Sequence, residues 1–193
     1  MNICLYGASS DQISPAYFEA VTALGRELGR RSHGLVFGGG SRGLMGAAAR
    51  GVHEAGGRII GVAPRFFDRP GILFEFCDEF IFTDTMRERK LTMEARADAF
   101  LAVPGGIGTL EEFFEMLTLK QLGRHRKPIA LYNIGGYYDS LLRFLEESVE
   151  QGFTLDACLG LCAVFDEPGP CLAYLETGES PEIDLWRLKR YDK

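Results

Sequence analysis

The chain has no long apolar run, no surplus of basic residues and few histidines. Its longest hydrophobic stretches are of strand length, well short of the roughly 20 residues that a membrane-crossing helix needs. No membrane association is expected. The start, Met1-Asn2-Ile3-Cys4, enters a strand without a basic-then-apolar leader, so the cytoplasm is the expected compartment. Lys and Arg number 21 against 27 Asp and Glu, a net charge of −6. A general nucleic-acid binder would carry a basic face, so no nucleic-acid partner is expected. One small phosphorylated ligand needs only a local pocket and is not excluded. Cys4, Cys77, Cys158, Cys162 and Cys171 are odd in number and form no C-x-x-C pair. Cys158 and Cys162 can share a helix face, but no histidine lies near them in sequence, so buried free thiols are expected rather than zinc ligands. His33, His53 and His125 are scattered and are assigned neither to metal nor to catalysis.

What is present is ordinary globular composition: 193 residues, 46% hydrophobic and 25% charged. That suits a single domain over residues 1–193 with a sizeable core. Apolar runs at 3–6, 34–37, 58–62, 79–82, 99–103, 129–133 and 162–165 read as strands. Between them lie helical patterns. Pro15 opens one, with Phe18, Val21, Leu24 and Leu28 on one face. Gly43 leads into an alanine-rich one, and Asp84 is the expected cap of another carrying Met86, Arg89, Lys90 and Met93. Further helices are expected over 139–150 and near 155–160. Strands alternating with helices predict an α/β fold, a Rossmann-like parallel sheet of about seven strands with helices on both faces. From about residue 167 the chain reads as a short helix followed by an irregular arm with a lone Trp186.

Ligands of such sheets sit beyond the carboxyl ends of the strands. Three glycine-bearing loops, at 7–10, 38–43 and 105–109, fall on that edge. Gly38-x-Gly40-x-x-Gly43 matches a dinucleotide fingerprint in letters. It follows the second strand rather than the first, and the third strand ends in Gly61-Val62-Ala63 instead of an acid, so NAD binding is not expected. Close backbone approach beside a ligand and a tight turn for its own sake remain equal readings of it. Residues 64–78 hold four phenylalanines between Phe66 and Phe76; such a loop suits a cover over a base, or packing onto the core or a partner subunit.

The strongest site candidate is Pro104-Gly105-Gly106-Ile107-Gly108-Thr109-Leu110-Glu111-Glu112. A strand precedes it, and Leu110, Phe113, Phe114 and Leu117 follow at helical spacing. Glycine amides, a threonine hydroxyl and a helix start near Thr109 together suit a phosphate. Glu111, Glu115 and Thr118 share a polar flank, whereas Glu112 lies between Met116 and Leu119. Partial burial there raises a carboxylate's pKa unless a cation answers it. A structural ion pair accounts for such an acid as well as catalysis does.

The segment Pro104-Gly105-Gly106-x-Gly108-Thr109-x-x-Glu112, with Met86-Arg87-Glu88-Arg89-Lys90 upstream, resembles the signature of the LOG ("Lonely guy") family of cytokinin riboside 5′-monophosphate phosphoribohydrolases. The resemblance covers about residues 2 to 166 and departs at Arg87, where the family usually has histidine. It implies a Rossmann-like, dimeric hydrolase that splits the N-glycosidic bond of adenine nucleoside 5′-monophosphates. It also implies Glu112 and Arg89 as the catalytic pair. Met86, Lys90, Gly105, Gly106, Ile107, Gly108, Thr109, Leu110, Glu111 and Thr118 are the implied substrate-binding residues. No metal or cofactor is called for. The helix from 110 is apolar on nearly two faces, which suits a homodimer. Two rivals stand beside this reading. One is a non-catalytic nucleotide or molybdenum-cofactor carrier. The other is the older lysine decarboxylase label, which needs a pyridoxal lysine; Lys90, Lys120 and Lys127 are the mid-chain lysines, and none has suitable neighbours in sequence.

Overall fold

The computed structural model describes residues 1–178. Seven strands form one parallel sheet: β1 (Asn2–Tyr6), β2 (Gly34–Phe37), β3 (Ile59–Pro64), β4 (Glu79–Thr83), β5 (Ala99–Ala102), β6 (Ile129–Tyr132) and β7 (Ala163–Phe165). Their order is β4-β3-β2-β1-β5-β6-β7. The chain steps outward from β1 to β4, crosses back to pair β5 with β1, then steps outward again. The register of that central pair sets Leu5 against Leu101 and Tyr6 against Ala102. The order therefore reverses between β1 and β5, the place where such sheets open a ligand crevice.

Strand side chains alternate between the two faces, and each face has its own helices. Ile3 and Leu5 join Leu35 and Phe37 under α1 (Pro15–Arg30), α2 (Gly43–Glu54) and α6 (Pro168–Thr177). Cys4 and Tyr6 join Val36, Ile60 and Phe100 under α3 (Met86–Arg96), α4 (Ile107–Gln121) and Tyr138 at the entry to α5 (Asp139–Glu150). The α/β sheet with both faces covered is the architecture that the alternation of runs implies. Among the described residues no helix is long and apolar enough to cross a membrane.

Two helix starts differ from expectation. The cap of α3 is Thr85, whose hydroxyl accepts from the Glu88 amide at 3.1 Å. Asp84 lies outside the helix; its amide donates to Glu88 Oε2 at 2.9 Å. Thr85-x-x-Glu88 thus works as a variant of the capping box, with two donors satisfied by a reciprocal pair of side chains. The helix after Pro104 begins at Ile107 with Gly106 as its N-cap, not near Thr109. A glycine cap has no side chain to announce itself, and the first threonine draws the eye instead. The segment 64–78 holds a short 3-10 turn at Arg65–Phe67 and a bridge between Leu73 and Gly40. The short helix expected after 167 is α6, whereas the arm with Trp186 lies outside the described residues.

Candidate active site

The loop after β5 is held from several sides. Tyr138 and Tyr137 donate their hydroxyls to the Val103 and Gly105 carbonyls, each at 2.7 Å. The Ala8 amide donates to the Pro104 carbonyl at 3.1 Å. Thus braced, the chain turns into α4, whose first backbone bond runs from the Leu110 amide to the Gly106 carbonyl. The amides of Ile107, Gly108 and Thr109 precede it and have no place in the helical ladder. No side chain among the described residues caps that end. It opens on a cavity of about 490 Å³, where unpaired N–H groups and the positive end of the helix dipole favour an anion.

The glycine run after β2 ends differently. The Gly43 amide donates to Asp11 Oδ1 and the Leu44 amide to the Ala8 carbonyl, both at 2.8 Å. The start of α2 is therefore already occupied by a carboxylate and a carbonyl. Gly43 has φ +62°, and a Cβ on it would meet the Ala8 carbonyl oxygen at 2.2 Å. These glycines let two backbones touch. Gly38 and Gly40 wall the cavity.

Glu112 lies one turn into α4 on the same cavity. Its Oε1 accepts from Arg89 Nη1 at 2.6 Å, with the two side chains 11% and 8% exposed. Burial pushes the Glu112 carboxyl up, and the charge and hydrogen bond of Arg89 oppose it; burial wins. The cavity thus holds an open helix start and, about 4.5 Å further along the helix axis from Thr109, an acid kept in place by a buried arginine.

Of the residues singled out in sequence, Met86, Arg89, Gly106, Ile107, Gly108, Thr109 and Glu112 line this cavity together. Gly105 sits behind it as the acceptor for Tyr137. Lys90 does not line it: its ammonium pairs with Glu111 and, at 2.9 Å, with Glu115. Leu110 packs, half-buried, against the core under α3 and α4. Thr118 lines a second, apolar cavity further along α4. The aromatic loop divides its labour. Phe67, with Ile72 and Leu73, lines the first cavity, whereas Phe74 is buried against Phe37 and His53. Phe76 stacks on His53 at 4.6 Å. Glu75 is exposed and lies off the cavity wall.

Sequence reasoning missed Ser9, Arg42, Met45, Tyr137 and Tyr138. The tyrosines had a signal, since Gly135-Gly136-Tyr137-Tyr138 follows the sixth strand on the same sheet edge. Arg42 stands in the 38–43 loop already placed on that edge, but nothing in the sequence pairs it with Asp11, 3.9 Å away.

Residues 45–175 match a family model described as "Possible lysine decarboxylase". The chain is 46% identical over 151 residues to cytokinin riboside 5′-monophosphate phosphoribohydrolase LOG7 of Arabidopsis thaliana, covering 78% of this chain and 70% of that one. It is 38% identical over 187 residues to a probable enzyme of the same name, LOGL5, from Oryza sativa subsp. japonica, covering 97% and 76%. Among solved structures, the molybdenum cofactor carrier protein of Chlamydomonas reinhardtii superposes with a TM-score of 0.70 at 25% identity, covering 92% of this chain and 96% of that one. The molybdenum cofactor binding protein of Rippkaea orientalis shares the fold at 22% identity and a TM-score of 0.66, covering 91% and 94%. By the match of its central 131 residues and its identity to these plant enzymes, this chain belongs to the LOG family.

Proposed function

We propose that the protein hydrolyses the N-glycosidic bond of adenine nucleoside 5′-monophosphates, AMP or its N6-substituted forms, releasing the free base and ribose 5-phosphate. The observation that carries this reading is the placement of Glu112, buried and bonded to Arg89, on the same cavity as the open start of α4. A 5′-phosphate bound by the amides of Ile107, Gly108 and Thr109 positions the ribose. As the C1′–N9 bond breaks, positive charge builds on the sugar. The Glu112 carboxylate stabilises that charge and takes a proton from the attacking water, whose oxygen bonds to C1′. The departing base leaves with the C1′–N9 electron pair and takes a proton from solvent, and Glu112 afterwards returns to solvent the proton it drew from water. Arg89 keeps Glu112 aimed and opposes the burial that raises its carboxyl. Nothing in this scheme calls for a cofactor.

The older decarboxylase label finds no support in the lysines. Lys90 is paired with two glutamates, Lys120 donates to the Leu161 carbonyl at 2.6 Å, and Lys127 donates to the Glu94 carbonyl at 2.7 Å. The carrier reading shares the fold and the cavity; an acid aimed by a buried arginine favours turnover. Chromatography of AMP incubated with the protein separates the two. Free adenine supports the hydrolase, and intact AMP recovered from a bound complex supports the carrier. Glu112→Gln is expected to lower turnover by about a thousandfold or more while AMP binds within a few-fold of the parent. Lost binding with undiminished turnover of bound AMP would remove Glu112 from the chemistry.

We further propose a homodimer in the cytoplasm. The five cysteines are all free, as suits a reducing compartment. An apolar face across α4 and α5 is open to a second copy.

A further inference from the structure

Gly38, at the end of β2, has a neighbour that the dinucleotide fingerprint would not require. A Cβ built on Gly38 would lie 2.1 Å from Arg89 Nη2, 3.2 Å from Cζ and 3.5 Å from Nε. The Arg89 guanidinium therefore occupies the space that any side chain at position 38 would fill. From that seat its other terminal nitrogen, Nη1, donates to Glu112 Oε1 at 2.6 Å. Gly106 and Gly108 on the same cavity differ: they have nothing within 4 Å of an added Cβ, whereas a Cβ on Gly7 would meet the Val103 side chain at 2.5 Å. Gly106 and Gly108 leave the way open to a ligand, whereas Gly38 leaves room for a side chain of the protein itself.

We propose that Gly38 is a positioning residue of the hydrolase, its missing side chain forming the seat from which Arg89 holds Glu112 toward the substrate. The proposal rests on the N-glycosidase reading above. A methyl at this position needs about 3.5 Å of clearance, so the guanidinium must retreat by roughly 1.4 Å. A displacement of that size at one end of the guanidinium is large beside the 2.6 Å Nη1–Oε1 bond, and the proposal is that it loosens the pair. What gives way is the end of a side chain rather than backbone, so the fold itself tolerates the change.

The consequence falls on Glu112. The charged and titratable groups around it are Arg89 and Lys90 from α3, Cys4 and Tyr6 from β1, and Glu111 on its own helix. Burial already raises its carboxyl, and Arg89 is the largest opposing influence. Withdrawing Arg89 moves the carboxyl further up, so the ionised form is lost at higher pH.

Gly38→Ala is expected to keep the parent's melting temperature within a few degrees. With AMP as substrate, kcat at pH 6 should fall about tenfold or more, KM should stay within about threefold, and the acid limb of the rate profile should move up by about half a unit or more. In an Arg89→Met background the same glycine substitution should cost less than about twofold, because its effect runs through the absent guanidinium. Losses that simply multiply, or an unmoved acid limb in folded Gly38→Ala, would overturn the proposal. A carbon NMR titration of the Glu112 carboxyl, assigned with Glu112→Gln, gives a readout independent of turnover. An upward move in Gly38→Ala supports the seat and an unchanged titration overturns it. If the parent releases no adenine from AMP, the hydrolase reading fails by itself, while this titration still decides the role of Gly38.

Discussion

Glu112 and Lys120 show how burial acts on charge at the scale of single residues. Both project from α4, and each is nearly enclosed. Glu112 has a cation to answer it; Lys120 donates to the neutral Leu161 carbonyl. Burial consequently pulls the Lys120 amine down from 10.5 to about 8. Below pH 8 the amine is charged in both folded and unfolded chains, and the folded state bears the full cost of burying that charge. Between about 8 and 10.5 the unfolded chain binds more protons than the folded one, so this group makes stability rise with pH, by at most about 1.4 kcal/mol per unit. Buried thiols work the other way: burial raises Cys162 and Cys77 to about 11 and Cys4 and Cys171 to about 12, so above pH 9 they favour the unfolded chain. Comparing the parent with Lys120→Met cancels most of that. Urea unfolding should show the parent gaining on the variant from pH 7 to 9.5; a difference that stays flat would mean the amine is not held neutral. Of these two residues, only Glu112 was legible in sequence, as an acid between apolar neighbours. Lys120 reads as an ordinary end-of-helix lysine until the chain near Leu161 folds over it.

At the scale of elements, α3 and α4 matter because each delivers one half of the ion pair. Periodicity was enough to find both helices, but their first residues depended on caps. Asp84 and Thr85 are adjacent and both are good caps; what decides between them is Glu88, three residues beyond Thr85, a spacing visible in sequence. Gly106 offered no such clue, since its extended backbone at φ −89°, ψ −154° is set by the loop that Tyr137 and Tyr138 brace. The α3 cap makes a measurable claim. Thr85→Ala removes the acceptor for the Glu88 amide and should cost about 1 kcal/mol of unfolding free energy, with Thr85→Ser within a few tenths. Because Arg89 is the first residue whose amide bonds back to the Thr85 carbonyl, at 3.1 Å, fraying of this turn reaches the Arg89–Glu112 ion pair. Equal stability of all three proteins in denaturant titrations would show that Asp84 takes over the cap.

At the scale of the whole molecule, alternation of strands and helices was legible but strand order was not. The return from β4 to β5 beside β1, which makes the crevice, is decided by packing on both faces rather than by any local pattern. The same packing leaves one surface unfinished. α5 has no fully buried residue, although Leu141, Leu142, Phe144, Leu145 and Val149 lie along it. Between α4, α5 and the 3-10 turn Asp156–Leu161 lies a cavity of about 390 Å³ whose walls include Phe114, Leu117, Leu142, Leu145, Leu159 and Val164. Phe144 on α5 and Phe153 just after it are 63% and 83% exposed. A contiguous apolar surface of this kind is uncommon on a monomer. In the homodimer proposed above, a second copy turned about a two-fold axis would present the same apolar groups to it and cover both faces at once. Light scattering behind size exclusion should therefore give twice the chain mass at micromolar concentration. Leu117→Glu combined with Leu145→Glu should halve it by placing carboxylates in the joint, with far-ultraviolet circular dichroism unchanged. A parent protein that elutes at the mass of one chain would leave this face without its proposed occupant.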